Sequence, residues 1–291
     1  MPAPLTYRRL LWVWIAAALV FGAAWWWRLH RDPPLDAGLS PIARRLVNAV
    51  RAPLHLVRGG YAHVYALDPH EAAGLLEEAE YAVAEISRRL GVAVPGRPVR
   101  ILLLPHHQGW DELTREKGFR PDSLAFNLRD EIFLKDDPEQ AARPDRLAHE
   151  IVHFVLRESH GDAVPLWLDE GLAGRLGFVV SRAYRASRGR RIAGAWPSLP
   201  ADAMPPLEVL TSRHVLPDDP REARIFYRAS EELVALIEDR IGASKMPEFI
   251  ADVAAGTDWR VAMDARLNGS AYSSVDMEQA VRRQLAAPRR L

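Results

Sequence analysis

Residues 143–173 read RPDRLAHEIVHFVLRESHGDAVPLWLDEGLA, and the reading of the fold turns on them. Pro144 and Asp145 open a helix that runs to about Glu158, and Gly161 closes the turn after it. Inside that helix, His149 and His153 stand four residues apart. Residues i and i+4 share a helix face, with Cβ atoms roughly 6 Å apart. The two imidazoles therefore point the same way and can reach one ion. Glu150 sits about 100° around the helix from His149. That is too far round to bind the same ion easily, but near enough to face a water beside it. A catalytic zinc with three protein ligands keeps one position open and acidifies water, whose proton a carboxylate can then take. By itself, HEIVH also fits an amphipathic surface helix, with Leu147, Ile151 and Val155 inside and the His pair outside.

A second helix begins near Pro165 and includes Glu170. HEIVH followed by LWLDEGLA resembles the gluzincin clan of zinc metallopeptidases, above all the peptidase-MA-like domains. It is also similar to the aminopeptidases that carry WLNEGFA at this point. The resemblance implies one zinc ion held by His149, His153 and Glu170, with Glu150 as general base. The sixteen residues 154–169 are enough to finish one helix, turn and begin an antiparallel partner. Leu166, Trp167 and Leu168 would pack that helix beneath the first. Gly171 and Ala173 would let the two come close.

The resemblance covers roughly residues 61–287. It makes Tyr227, in the run FYRASEELVALIEDRIG, the donor to the oxyanion of the tetrahedral intermediate. The structural alternative is that Tyr227 packs with Phe226 and Leu233. His214 is a weaker candidate for the same role and reads more simply as a loop residue. No GAMEN-like run is present to hold a free amino terminus, so an endopeptidase is expected. Residues 125–134 are the edge segment expected to align a peptide by strand addition.

Composition is ordinary globular usage and removes disorder and low complexity. The chain has 291 residues, with 38 Lys plus Arg against 38 Asp plus Glu. That zero balance gives no argument for a nucleic-acid partner. Cysteine is absent, so any metal must use His and carboxylate.

Residues 10–27, LLWVWIAAALVFGAAWWW, carry no charge. They span roughly 27 Å as a helix, close to the hydrocarbon thickness of a bilayer. Trp12 and Trp14 near one end and Trp25, Trp26 and Trp27 at the other form an aromatic belt. The expectation is a single-pass anchor with the catalytic domain on the extracytoplasmic side. A buried core helix and a cleaved signal peptide, cut near Gly22-Ala23-Ala24, are the rivals.

The rest organises around these two features. Residues 1–9 are a tail, and 28–60 a linker with a short amphipathic helix bearing Ile42, Leu46, Ala49 and Val50. Residues 61–291 are the zincin-like domain, a sheet lobe over about 61–160 and a helical lobe over about 161–291. Strands are expected at 61–67 and 99–104, with one or two more around an Arg129-Asp130 turn. Asp68-Pro69 should start a helix ending at Gly91, and 106–117 should form another. Residues 186–220 read as a long loop, with helices after it at about 221–241, 244–255 and 273–287. Strands with helices first, then helices alone, make the class α+β with a small mixed sheet.

Among the remaining residues, Asp169 reads as an exposed helix acid rather than a partner of a ligating His. His106, His107 and His160 have no metal spacing. Arg182, Arg185, Arg188, Arg190 and Arg191 read as a solvated loop, with anionic lipid as the alternative contact. The rival from another class is a zinc-holding but non-proteolytic membrane-anchored binding or assembly factor. The partners expected are a peptide or protein substrate and the lipid bilayer.

Overall fold

A computed structural model describes residues 39–50, 53–105, 110–111, 114, 116, 124–136, 143–189, 195–196, 200, 203–267, 274–286 and 289–290. The anchor at 10–27 and its possible cleavage point lie outside the described residues, as do His106, His107, Arg190 and Arg191. Among the described residues, no helix is long and apolar enough to cross a membrane. The chain divides into two compact units, Met1–Arg45 and Leu46–Leu291. The expected amphipathic helix, α1 (Pro41–Val50), spans their boundary.

The larger unit is α+β. Its sheet lobe contains β1 (His55–Arg58), β2 (Ala62–Ala66), α2 (Pro69–Leu90), β3 (Val99–Pro105), β4 (Ala125–Leu128) and β5 (Glu131–Asp136). The strand order is β1-β2-β3-β5-β4. β2, β3 and β5 run parallel, and the outer strands β1 and β4 are antiparallel to their neighbours. The sheet is therefore mixed, as expected. β1 lies in a stretch read as linker. Only four residues long, HLVR is too short to show a period.

Local chemistry explains the α2 boundaries. Asp68 caps its start, accepting from the N–H groups of His70 at 2.7 Å and Glu71 at 3.2 Å, with Pro69 in the first turn. Gly91 ends it at φ 65°, a left-handed conformation that suits glycine. Glu80, mid-helix, accepts from Tyr61 N–H and Ala62 N–H and so ties the β1–β2 turn to α2.

The sheet is buried on both faces. Val64, Ile101, Leu103, Ile132 and Leu134 join Leu75, Ala79, Val83 and Ile86 of α2 in the main core. On the other face, Phe126 stacks on Phe133 at 4.9 Å and meets Trp110 at 5.0 Å. β3 thus reads as apolar from Ile101 to Leu104 because both its sides are covered there. Residues 110–111, 114 and 116 of the helix expected at 106–117 are helical, and the others lie outside the described residues.

The two central helices follow: α3 (Arg143–His160), stopped by Gly161 at φ 63°, and α4 (Leu166–Ser187). They pack antiparallel. Asp145 pairs with Ser181 at one end, and His149 lies against Gly177 one turn further along. α4 outlasts the expected loop start at 186, so Arg182 and Arg185 stand on the helix rather than in a loop, and Arg188 caps it while pairing with Glu77.

The helical lobe adds α5 (Leu207–Ser212), α6 (Pro220–Ile241), α7 (Met246–Ala254), α8 (Trp259–Asp264) and α9 (Ser274–Ala286). A short antiparallel pair joins β6 (Ala195–Trp196) to β7 (Arg289–Arg290). α5 breaks up the stretch expected as a long loop. Leu207 and Leu210 bury this six-residue helix, and tertiary contact rather than helix propensity holds it. Glu278 and Arg282 of α9 fix it from the side, through Leu207 N–H and Met204 C=O.

Candidate metal centre

α3 and α4 bring three donor atoms together. His149 Nε2 and His153 Nε2 are 3.1 Å apart, and Glu170 Oε2 lies 3.4 Å from the first and 3.5 Å from the second. This group could hold a metal ion. The sequence placed the same three residues in one site.

The spacing can be tested against an ion. Tetrahedral coordination at about 2.0–2.1 Å puts ligand atoms about 3.3 Å from one another. The three observed separations bracket that value. Glu170 Oε2 is buried and has no hydrogen-bond partner. A buried carboxylate oxygen without a donor is costly, about 1–3 kcal/mol or more for a charged group. Its two nearest neighbours are the imidazole nitrogens of the same cluster. The arrangement therefore fits a dication on all three atoms.

Electrostatics point the same way. Burial raises the Glu170 carboxyl, but His153 and His149 outweigh it and hold the group down at about 2. Burial lowers His153, yet the carboxylates of Asp169 and Glu170 reverse this and keep it well above 6.5. The cluster thus has a strong preference for one positive charge at its centre, whether a proton on His153 or a metal ion in its place.

Asp169 departs from its reading as an exposed acid. Its Oδ1 is 2.8 Å from His153 Nδ1. An ionised carboxylate only accepts, so Nδ1 carries a proton and Nε2 is turned to the other donors. Adjacent residues on a helix diverge by about 100°, so Glu170 and Asp169 reach the two nitrogens of one ring from different sides.

Glu150 lies beside the triad and is 8% exposed. Burial raises its pKa, and His149 and His153 pull in the opposite direction. A carboxyl raised in this way accepts a proton more readily than an ordinary one.

Gly171 does not do what the sequence reading assigned to it. A Cβ there would meet Ser230 O of α6 at 2.6 Å, so Gly171 admits α6 and not α3. The close approach of α3 and α4 falls instead to Gly177, where a Cβ would lie 2.8 Å from His149 N and 3.0 Å from its Cα. Gly177 is seven residues beyond Glu170 and shares its helix face. That spacing was the available signal.

Tyr227 stands on α6, half-buried, with its ring edge-on to Phe226 at 6.4 Å. It lies three and four residues before Ser230 and Glu231, which pack against Gly171 and Gly174 of α4. It therefore belongs to the α6 face turned towards the ligand helix. The contact with Phe226 is one half of the packing alternative, while Leu233, six positions on, lies about 240° round the helix. His214 is exposed in a non-helical segment. His160, at the end of α3, has its pKa lowered by burial. Sequence reading also missed a buried charge cluster on α6, where Arg228 pairs with Glu232 at 3.0 Å.

A cavity of about 370 Å³ lies elsewhere, lined by Arg88, Arg89, Leu172, Arg175, Glu238 and Met246 among others. Leu172 and Arg175 sit on the face of α4 turned from Glu170. Its guanidiniums pair with Glu85 and Glu238.

No known protein-family description matches this chain, and no curated protein does.

Proposed function

We propose that this protein is a membrane-anchored zinc metallopeptidase, an endopeptidase with a zincin-like catalytic domain. The observation that carries the reading is the convergence of His149, His153 and Glu170 at the spacing of a tetrahedral ion, with Glu150 buried beside them. The resemblance of HEIVH and LWLDEGLA to gluzincins supports it independently. The donor set of two imidazoles and one carboxylate, with no thiolate in the chain, suits zinc with an open position. Zinc in that position would supply Lewis-acid chemistry, polarising a carbonyl and making water a stronger acid.

The remaining work falls to the chain itself. His149, His153 and Glu170 hold the ion. Asp169 keeps His153 in the ligating tautomer. Glu150 accepts the proton of the attacking water and passes it to the leaving amine nitrogen. Tyr227 donates from its phenol to the oxyanion of the tetrahedral intermediate. The open edge of β4 receives the peptide as an added strand. The uncharged run at 10–27 would hold the domain at a bilayer, on the extracytoplasmic side.

Metal analysis joined to an activity screen tests this. Purified protein should carry one zinc per chain, and Glu170→Gln should lose it. Glu150→Gln should keep the zinc and lose peptide cleavage. Wild type without zinc sinks the proposal. Wild type that holds zinc but cleaves nothing in a broad peptide library is the zinc-holding binding factor instead.

A further inference from the structure

Among the described residues, the side chain of Asn127 ties the outer edge of the sheet to the helix of the triad. β4 is the outermost of the described strands, beyond β5. Lys135 N–H donates to Leu124 O at 2.9 Å, and the register continues Ala125↔Leu134, Phe126↔Phe133, Asn127↔Ile132. In an antiparallel pair, alternate residues exchange hydrogen bonds with the partner strand. Leu124, Phe126 and Leu128 face β5 in this way. Ala125 and Asn127 then turn their backbone N–H and C=O to the open edge.

Side chains alternate as well. Phe126 goes to the Trp110–Phe133 face. Asn127 goes to the other face, where α3 lies. Its Nδ2 donates to the backbone carbonyl of Glu150 at 3.3 Å. Its Oδ1 accepts from Arg157 Nη1 at 3.0 Å, and the same Nη1 donates to Arg129 O at 3.3 Å. A guanidinium on one end and a carbonyl on the other fix which way the amide points. Aspartate could keep the first bond and not the second. Asn127 is thus the residue whose backbone faces an incoming strand while its side chain grips the peptide unit of the general base.

We propose that Asn127 is a positioning residue that sets the register between a peptide added to β4 and Glu150. This rests on the metallopeptidase reading. A strand on the open edge is located along its length by the outward groups of Ala125 and Asn127. Unless β4 is fixed relative to α3, that location carries no information about the distance to Glu150. The side-chain bonds of Asn127 provide this fixing at the position where it is needed.

Two metal-directed probes on the full chain separate this role from a merely structural one. Acetohydroxamate occupies the metal site alone, whereas a tri-alanyl hydroxamate also lies along the strand. Asn127→Ala should keep one zinc per chain and the acetohydroxamate affinity of wild type. Its affinity for the tri-alanyl hydroxamate should fall about tenfold, the scale of one lost hydrogen bond. Asn127→Asp, of equal size and still able to receive Arg157, should weaken the same probe and spare the other. Equal loss of both probes, or loss of neither, overturns the proposal. A wild type that binds neither zinc nor acetohydroxamate removes the metallopeptidase reading, and this role with it.

Discussion

The backbone of His149 rests directly on Gly177, with 2.8 Å between the His149 nitrogen and the place a Cβ would take. One donor of the candidate metal group is therefore positioned from behind by the absence of a side chain on the helix that carries another. Gly177→Ala must push α3 away from α4, because the atoms it meets are backbone and cannot rotate aside. We expect a loss of about 1–3 kcal/mol in urea unfolding, the usual scale of overpacking, together with weaker zinc binding. Gly174→Ala is the control. Its methyl would meet the Glu231 side chain at 3.4 Å, and replacing a helical glycine gains up to about 1 kcal/mol. Equal urea midpoints for Gly177→Ala and wild type would show that this contact does not set the helix spacing.

Asp169 should matter to metal affinity without being a ligand. Its bond to His153 Nδ1 fixes the tautomer and the ring plane. Asp169→Ala should weaken zinc about 10–100-fold, the range for partners of ligating histidines, in competition against a chelator. The metal-free protein should also lose stability, because there the carboxylate supports the proton on His153. Zinc affinity equal to that of wild type would mean that packing alone orients the ring.

How much of this was readable in advance depends on the range of the interaction. The cap at Asp68, the stop at Gly91 and the i, i+4 pair His149 and His153 are local, and the sequence shows them directly. Glu170 was placed by a motif, a second local pattern. Asp169 failed because a single helix does not reveal which of two adjacent acids faces a histidine sixteen positions before it. Gly171 and Gly177 were confused for a similar reason. Both are small residues on one helix, and only packing against α6 and α3 tells their jobs apart. α5 is a short element stabilised by partners distant in sequence, Glu278 and Arg282, whereas β1 pairs with its neighbour β2 but is too short to show a period. Asn127 gave no signal at all, since its role lies in a bond to a backbone carbonyl twenty-three residues away.

Metal removal should have a visible effect on stability. An ion that binds only the folded state at 100 times its dissociation constant adds about 2.7 kcal/mol. Chelation should therefore lower the melting temperature of wild type. The same chelator should leave Glu170→Gln unmoved, because that variant has lost the third donor. A drop of equal size in both would place the stabilising ion somewhere other than the triad.

The acid sensitivity of the helical lobe can be argued from Glu278. Leu207 N–H and Arg282 both favour its carboxylate, and together they lower its pKa from 4.5 in the folded protein. The folded value lies below the unfolded one, so the folded state binds fewer protons between the two. The stabilisation is then complete above about 4.5 and is lost as pH falls through the folded value. Glu278→Gln removes the charge at every pH. The gap in unfolding free energy between wild type and this variant should thus be constant near neutrality and should narrow as pH drops below about 4.5. Since Glu278 holds the first N–H of α5, the variant should also speed amide exchange at Leu207. A gap that widens with acid would reverse the sign of the linkage and exclude the Leu207 bond as its source.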